Sequence, residues 1–184
     1  MTKRPITHSL LVVTVALCAV AGLFGVATAQ DAGAPATPNP VVFFFFNDSV
    51  STEIYIVSLV TLDDGSREER FTAATSAIPG QVIEYRIFAT NTGETTLPAG
   101  RIQVLGPVQD GMEFVAGSAT PSSERVLTEF SADGAVFGVQ PILVGTGEDR
   151  RIVEPAEFKA VRWTLLVPME PGQEEPFFYR VTLL

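Results

Sequence analysis

The chain has 184 residues, with 12 Lys and Arg against 21 Asp and Glu, for a formal charge of −9. That balance excludes a basic face able to displace counterions from phosphates, so no nucleic-acid partner is expected. Hydrophobic residues make up 46%, ordinary for a folded domain and too many for a disordered acidic chain.

Residues 1–29 read as an export signal. Lys3 and Arg4 form the charged start, Leu10–Gly25 the apolar stretch, and Ala27-Thr28-Ala29 the small-residue cleavage site. Cleavage there makes Gln30 the first mature residue and leaves ten cations against 21 carboxylates. The rival reading is a retained anchor, since the 20 residues Leu10–Ala29 are long enough to span a bilayer. Membrane association is expected only in that case. Lipoprotein processing at Cys18 is disfavoured, because Leu17 stands where a small residue is wanted.

Cys18 and His8 are the only Cys and His in the chain, and both lie in the signal. The mature chain therefore cannot build a Ser-His-Asp triad, a Cys-His pair, or a zinc site of His or Cys ligands. It has no disulfide either, so stability must come from one sizeable apolar core. No catalytic, cofactor-binding or metal-binding residue is assigned, and no cofactor is expected.

Residues 30–40 form a Pro/Ala-rich linker, with three prolines in Asp31–Pro40. The domain follows at 41–184. It opens on four consecutive phenylalanines, Phe43–Phe46, which cannot alternate in and out of a half-buried strand without exposing two. Burial on both faces is the expected reading, and a docking patch is the alternative. Asn47-Asp48-Ser49 matches the glycosylation triplet and is read as chance.

From Val41 onward the apolar period is two, which argues strands. Glu53–Leu62 is apolar on both faces and is expected to run through the centre of a sheet. Asp63-Asp64-Gly65-Ser66 reads as a hairpin turn into Arg67–Ala73, its carboxylates solvated or capping N–H groups. In Gln81–Asn91, the residues Ile83, Tyr85, Ile87 and Ala89 share one face. Asn91-Thr92-Gly93 ends that strand, with Asn and Gly suited to left-handed conformations. Asp133-Gly134 has the chemistry of a two-residue hairpin turn between Val126–Phe130 and Ala135–Val139. Val161, Trp163, Leu165 and Val167 alternate in a further strand, and Phe177, Tyr179, Val181 and Leu183 in the last. Trp163 is expected to be buried. Short strands with turn signals and no helices predict an all-β, antiparallel β-sandwich of a single domain.

The stretch Ile78–Thr120 carries Pro79-Gly80, Glu84-Tyr85-Arg86-Ile87, Asn91-Thr92-Gly93, Pro107, Asp110-Gly111-Met112, Phe114-Val115 and Gly117-Ser118-Ala119. With Val161-Arg162-Trp163 and Pro171-Gly172-Gln173 further on, it resembles the bacterial "conserved repeat" domain, the domain-of-unknown-function family numbered eleven. The resemblance implies an Ig-like sandwich of exported bacterial surface proteins and no catalytic residues. This chain has a single copy and an insertion at about 121–157 between the two matching parts.

The acidic pairs Asp63-Asp64, Glu68-Glu69, Glu148-Asp149 and Glu174-Glu175 lack the spacing of a calcium loop. The expected function is a non-enzymatic, exported structural or interaction module of the bacterial cell envelope or surface, with other envelope proteins as partners. The alternative is a carbohydrate-binding or carbohydrate-active domain, which needs paired carboxylates and an exposed Trp163.

Overall fold

A computed structural model describes residues 41–43 and 49–184, with side chains from Ser49 onward. The expected signal, the linker, Phe44–Phe46 and Asn47-Asp48 lie outside the described residues. The described chain is all-β. Its strands are β1 (Val41–Phe43), β2 (Val50–Thr61), β3 (Arg67–Ala73), β4 (Val82–Thr90), β5 (Ile102–Pro107) and β6 (Met112–Phe114). They continue with β7 (Val126–Ser131), β8 (Leu143–Val144), β9 (Arg151–Ile152), β10 (Ala160–Leu165) and β11 (Glu174–Leu183). Single 3-10 turns occupy Gly147–Asp149 and Pro155–Glu157.

One sheet has the order β3-β2-β4-β11-β6 and the other β1-β5-β10-β7, with β8 and β9 forming a separate short ladder. All pairings are antiparallel except β1 with β5, which is parallel. The alternating apolar residues of the two sheets meet in one core. Trp163 of β10 is fully buried and contacts Phe177 and Tyr179 of β11, with ring centroids 5.4 and 6.0 Å apart. Phe114, Phe130 and Phe158 form a second aromatic cluster in the same core. Gly106 of β5 lies under the first cluster, where a Cβ would meet Tyr179 at 2.8 Å and Val161 at 3.0 Å.

Most expected strands are present, and four readings need correction. Strand β2 is an interior strand, between β3 and β4, but it is flanked on both sides only over Tyr55–Val57. Its pairing with β4 stops at Val57, so Ser58–Thr61 keep only β3 beside them and Leu59 is 60% exposed. Asp133-Gly134 does not make a two-residue turn. The ladder beyond β7 closes at Phe130 and Gly138, and the loop between is organised by the Asp133 carboxylate. That carboxylate accepts from Ala135 N, Val136 N and the Ser131 hydroxyl. Neither Asn91 nor Gly93 is left-handed, since the positive-φ residues among those described are other glycines. The Asn91 side chain does the work instead, as described below. Finally, the parallel β1 departs from a wholly antiparallel arrangement.

The hairpin turn at Asp63–Ser66 is present. Leu62 N donates to Ser66 O at 2.9 Å, Gly65 adopts φ 82°, and Asp64 accepts from the Ser66 N–H and hydroxyl. The stretch 121–157 contributes β7, a full member of the four-stranded sheet through its pairing with β10.

Candidate functional site

Charged and aromatic side chains interact on the outer face of the five-stranded sheet. Strand alternation places Tyr55, Phe71, Glu84, Arg86, Phe178 and Arg180 there, and the register sets Glu84 beside Tyr55 and Arg180. Glu84 is only 4% exposed. A buried carboxylate must be paired, and this one accepts from Arg86 Nε at 2.6 Å and Arg180 Nε at 2.8 Å. The other two nitrogens of Arg180 donate to Glu69, each at 2.7 Å, in a bidentate pair. The Arg86 guanidinium lies 4.4 Å over the Tyr55 ring and 4.8 Å over Phe71. The network joins β3, β4 and β11 and holds the long β2–β3 hairpin to the sheet.

Charge pairing explains the electrostatics. The Arg180 guanidinium beside Glu69 holds that carboxyl below the usual range. The hydroxyl of Tyr55 donates to Glu53 at 2.9 Å, which raises its pKa. On this face the carboxylates Glu69 and Glu84 are both held by arginines.

The acidic pairs singled out in the sequence do not converge. Asp63 and Asp64 sit in the β2–β3 turn, and Glu148 and Asp149 in a 3-10 turn. Glu68 and Glu69 point to opposite faces of β3. At the start of β11, Glu174 accepts from the Thr90 hydroxyl and Glu175 from Arg125. Among the described residues no group of three or more Asp, Glu, His or Cys is placed to hold a metal ion. Among them, too, no helix is long and apolar enough to cross a membrane.

Trp163 is wholly buried, with its indole N–H donating to Thr120 O at 3.1 Å. It offers no platform to a sugar. The motif residues of the sequence have structural roles. Asn91 is 3% exposed, and its amide donates to Thr95 O and Met169 O at 2.9 Å each, while its carbonyl accepts from Gly93 N. The Ser118 hydroxyl donates to Val115 O and accepts from Arg180 N, binding the 117–119 segment along β11. Sequence reasoning missed the Glu84 network. The alternation of Glu84 and Arg86 was visible, but the partners on β3 and β11 depend on long-range register.

An open cleft of about 460 Å³ lies on another side, lined by Asp133, Arg151, Val153, Glu157 and Lys159. Its principal charges are occupied, since Arg151 donates to Glu157 through two bonds of 2.7 Å. Compared with protein-family models, curated proteins and solved structures, the chain gives no match.

Proposed function

We propose that this chain is a non-enzymatic, exported structural or interaction module of the bacterial cell envelope, built as an Ig-like β-sandwich. One observation carries the reading. The buried polar residues Glu84, Asn91, Thr128, Ser131 and Thr164 are each tied to a neighbouring strand or loop. Each is engaged in holding the fold. The two sheets, antiparallel but for β1, with a tryptophan between them agree with the architecture that the conserved-repeat resemblance implies. The buried Trp163 also removes the aromatic platform that the carbohydrate alternative needs.

The test is fractionation of cells that make the native protein, with N-terminal sequencing of each fraction and crosslinking in place. The expected result is a chain starting at Gln30, found in the envelope or the medium. A cytosolic chain that retains residues 1–29 would overturn the proposal. So would hydrolysis of a polysaccharide by the purified protein.

A further inference from the structure

Among the described residues strand β3 is an open edge of the five-stranded sheet, and all seven of its residues are exposed. Its ladder with β2 is bracketed by the bonds Ala74 N to Ile54 O and Leu62 N to Ser66 O. The register between them is unbroken, so the even-numbered residues of β3 turn their backbone groups toward β2. The N–H and C=O groups of Arg67, Glu69, Phe71 and Ala73 therefore face outward. An edge of this length is a template for another strand.

The charges on the strand select the partner. Glu68 and Arg70 share the face that Glu69 and Phe71 do not, and neither makes an ion pair among the described residues. By contrast Glu69, on the outer face, is already neutralised by the bidentate Arg180.

We infer that β3 pairs with β3 of a second copy, antiparallel about a two-fold axis at Glu69, joining two five-stranded sheets into one. The outward backbone groups allow an axis at any residue of the strand, and one at 71 leaves Glu68 and Arg70 opposite the uncharged Ala74 and Thr72. An axis at 68 sets Glu68 against Glu68, and an axis at 70 sets Arg70 against Arg70. The axis at 69 sets each Glu68 opposite the other copy's Arg70, twice, in the closely spaced non-hydrogen-bonded positions. It sets Glu69 against Glu69, the one carboxylate of the strand whose charge an arginine already offsets. Phe71, 38% exposed, then lies opposite the other copy's Arg67 and is covered by its aliphatic stem.

The experiment is sedimentation equilibrium of the full chain and of three variants, E68R, R70E and E68R/R70E, at low and high salt. All the altered side chains are exposed, and equal thermal midpoints will show that folding is intact. The wild-type chain is expected to dimerise, and more weakly at high salt. Each single variant places like charges opposite each other at two positions and should weaken the dimer by roughly tenfold or more. The double variant restores opposite charges and should return the affinity to near the wild-type value. A wild-type chain that stays monomeric at every concentration overturns the inference, and the charges of β3 then serve to guard its edge. A dimer indifferent to the single variants, or one that the double variant fails to restore, overturns it as well.

Discussion

The carboxylate of Glu84 is held between two guanidiniums, Arg86 on its own strand and Arg180 on the neighbouring one, at 2.6 and 2.8 Å. Glu84 is on the outer face of the sheet, yet it is nearly as buried as the core. Arg86 and Arg180 close over it, and the rings of Tyr55 and Phe71 lie beneath the guanidiniums. The outer face thus carries a small sealed layer of its own, which fastens β3 to β11 through Glu69 and Arg180.

Replacing Glu84 tests that layer. Glu84→Gln keeps the shape and removes the charge, leaving the Arg86 guanidinium without its counterion and Arg180 with Glu69 alone. Complete burial of such a pair would make the loss about 3–5 kcal/mol, but the arginine side chains are 22% and 35% exposed. Solvent relieves part of the cost, so a loss of about 2 kcal/mol is expected. Urea denaturation measures it, and an unchanged midpoint would mean that the Glu69–Arg180 pair and the aromatic contacts hold the hairpin without the Glu84 charge.

The pairing of strands was legible only in part. The faces of β4 and β11 follow from alternation, because Ile83, Ile87 and Ala89 in one and Phe177, Tyr179 and Val181 in the other fall on alternating positions and all turn inward. Alternation says nothing about which strands lie side by side. The exposure of Leu59 depends on β4 ending its pairing at Val57, and the Glu69–Arg180 pair spans 111 positions of sequence. At Asn91 the motif was visible and its reason was not. A left-handed backbone and a side-chain clamp are equally consistent with Asn91-Thr92-Gly93, and only the position of Met169 separates them.

Gly106→Ala should destabilise the core. The added methyl would meet Tyr179 Cε1 at 2.8 Å, Val161 Cγ1 at 3.0 Å and Trp163 Cη2 at 3.1 Å. Tyr179 cannot withdraw freely, because its hydroxyl donates to Pro107 O at 2.8 Å. Overpacking of this kind costs about 1–3 kcal/mol. A thermal midpoint equal to the parent's would show that the aromatic cluster is looser than its contacts imply.

Trp163→Ala removes the largest fully buried side chain and should cost about 3–5 kcal/mol. Trp163→Phe separates packing from hydrogen bonding. It keeps an aromatic ring against Phe177 but leaves Thr120 O with only the Thr128 hydroxyl as donor. The Phe variant should therefore recover most, but not all, of the loss. If both variants matched the parent in thermal stability, the tryptophan would have to lie outside the core.

Acid should loosen the 151–157 segment before the core. Arg151 donates two bonds to Glu157, and together with the Glu154 N–H it lowers the Glu157 pKa from its usual 4.5 to about 2. A depressed carboxyl stabilises the folded state above the unfolded pKa, and that contribution is lost as pH falls through the folded value. The window is therefore between about 4.5 and about 2 for Glu157. A carboxyl titration by NMR should place its midpoint near the lower end, and Arg151→Ala should move it up toward the ordinary range. A midpoint that the substitution leaves in place would mean that the ion pair does not form in solution.

Asn91→Ala removes three hydrogen bonds at once from a site that is 3% exposed. Thr95 O and Met169 O each lose a donor, and Gly93 N loses its acceptor. Backbone bonds at the same place stay, since Asn91 N donates to Gln173 O and Gly172 N donates to Asn91 O. The loss therefore falls on the side chain, at about 1 kcal/mol for each bond, or roughly 3 kcal/mol in all. Asn91→Asp discriminates further. Its carboxylate can still accept from Gly93 N, but it sets a negative charge against the carbonyls of Thr95 and Met169, so it should be at least as damaging as Ala. Hydrogen exchange locates the effect: faster exchange is expected at Leu97 and Met169, whose backbones bond to each other at 2.9 Å in both directions. Unchanged protection there, with stability intact, would show that the two loops are held together without Asn91.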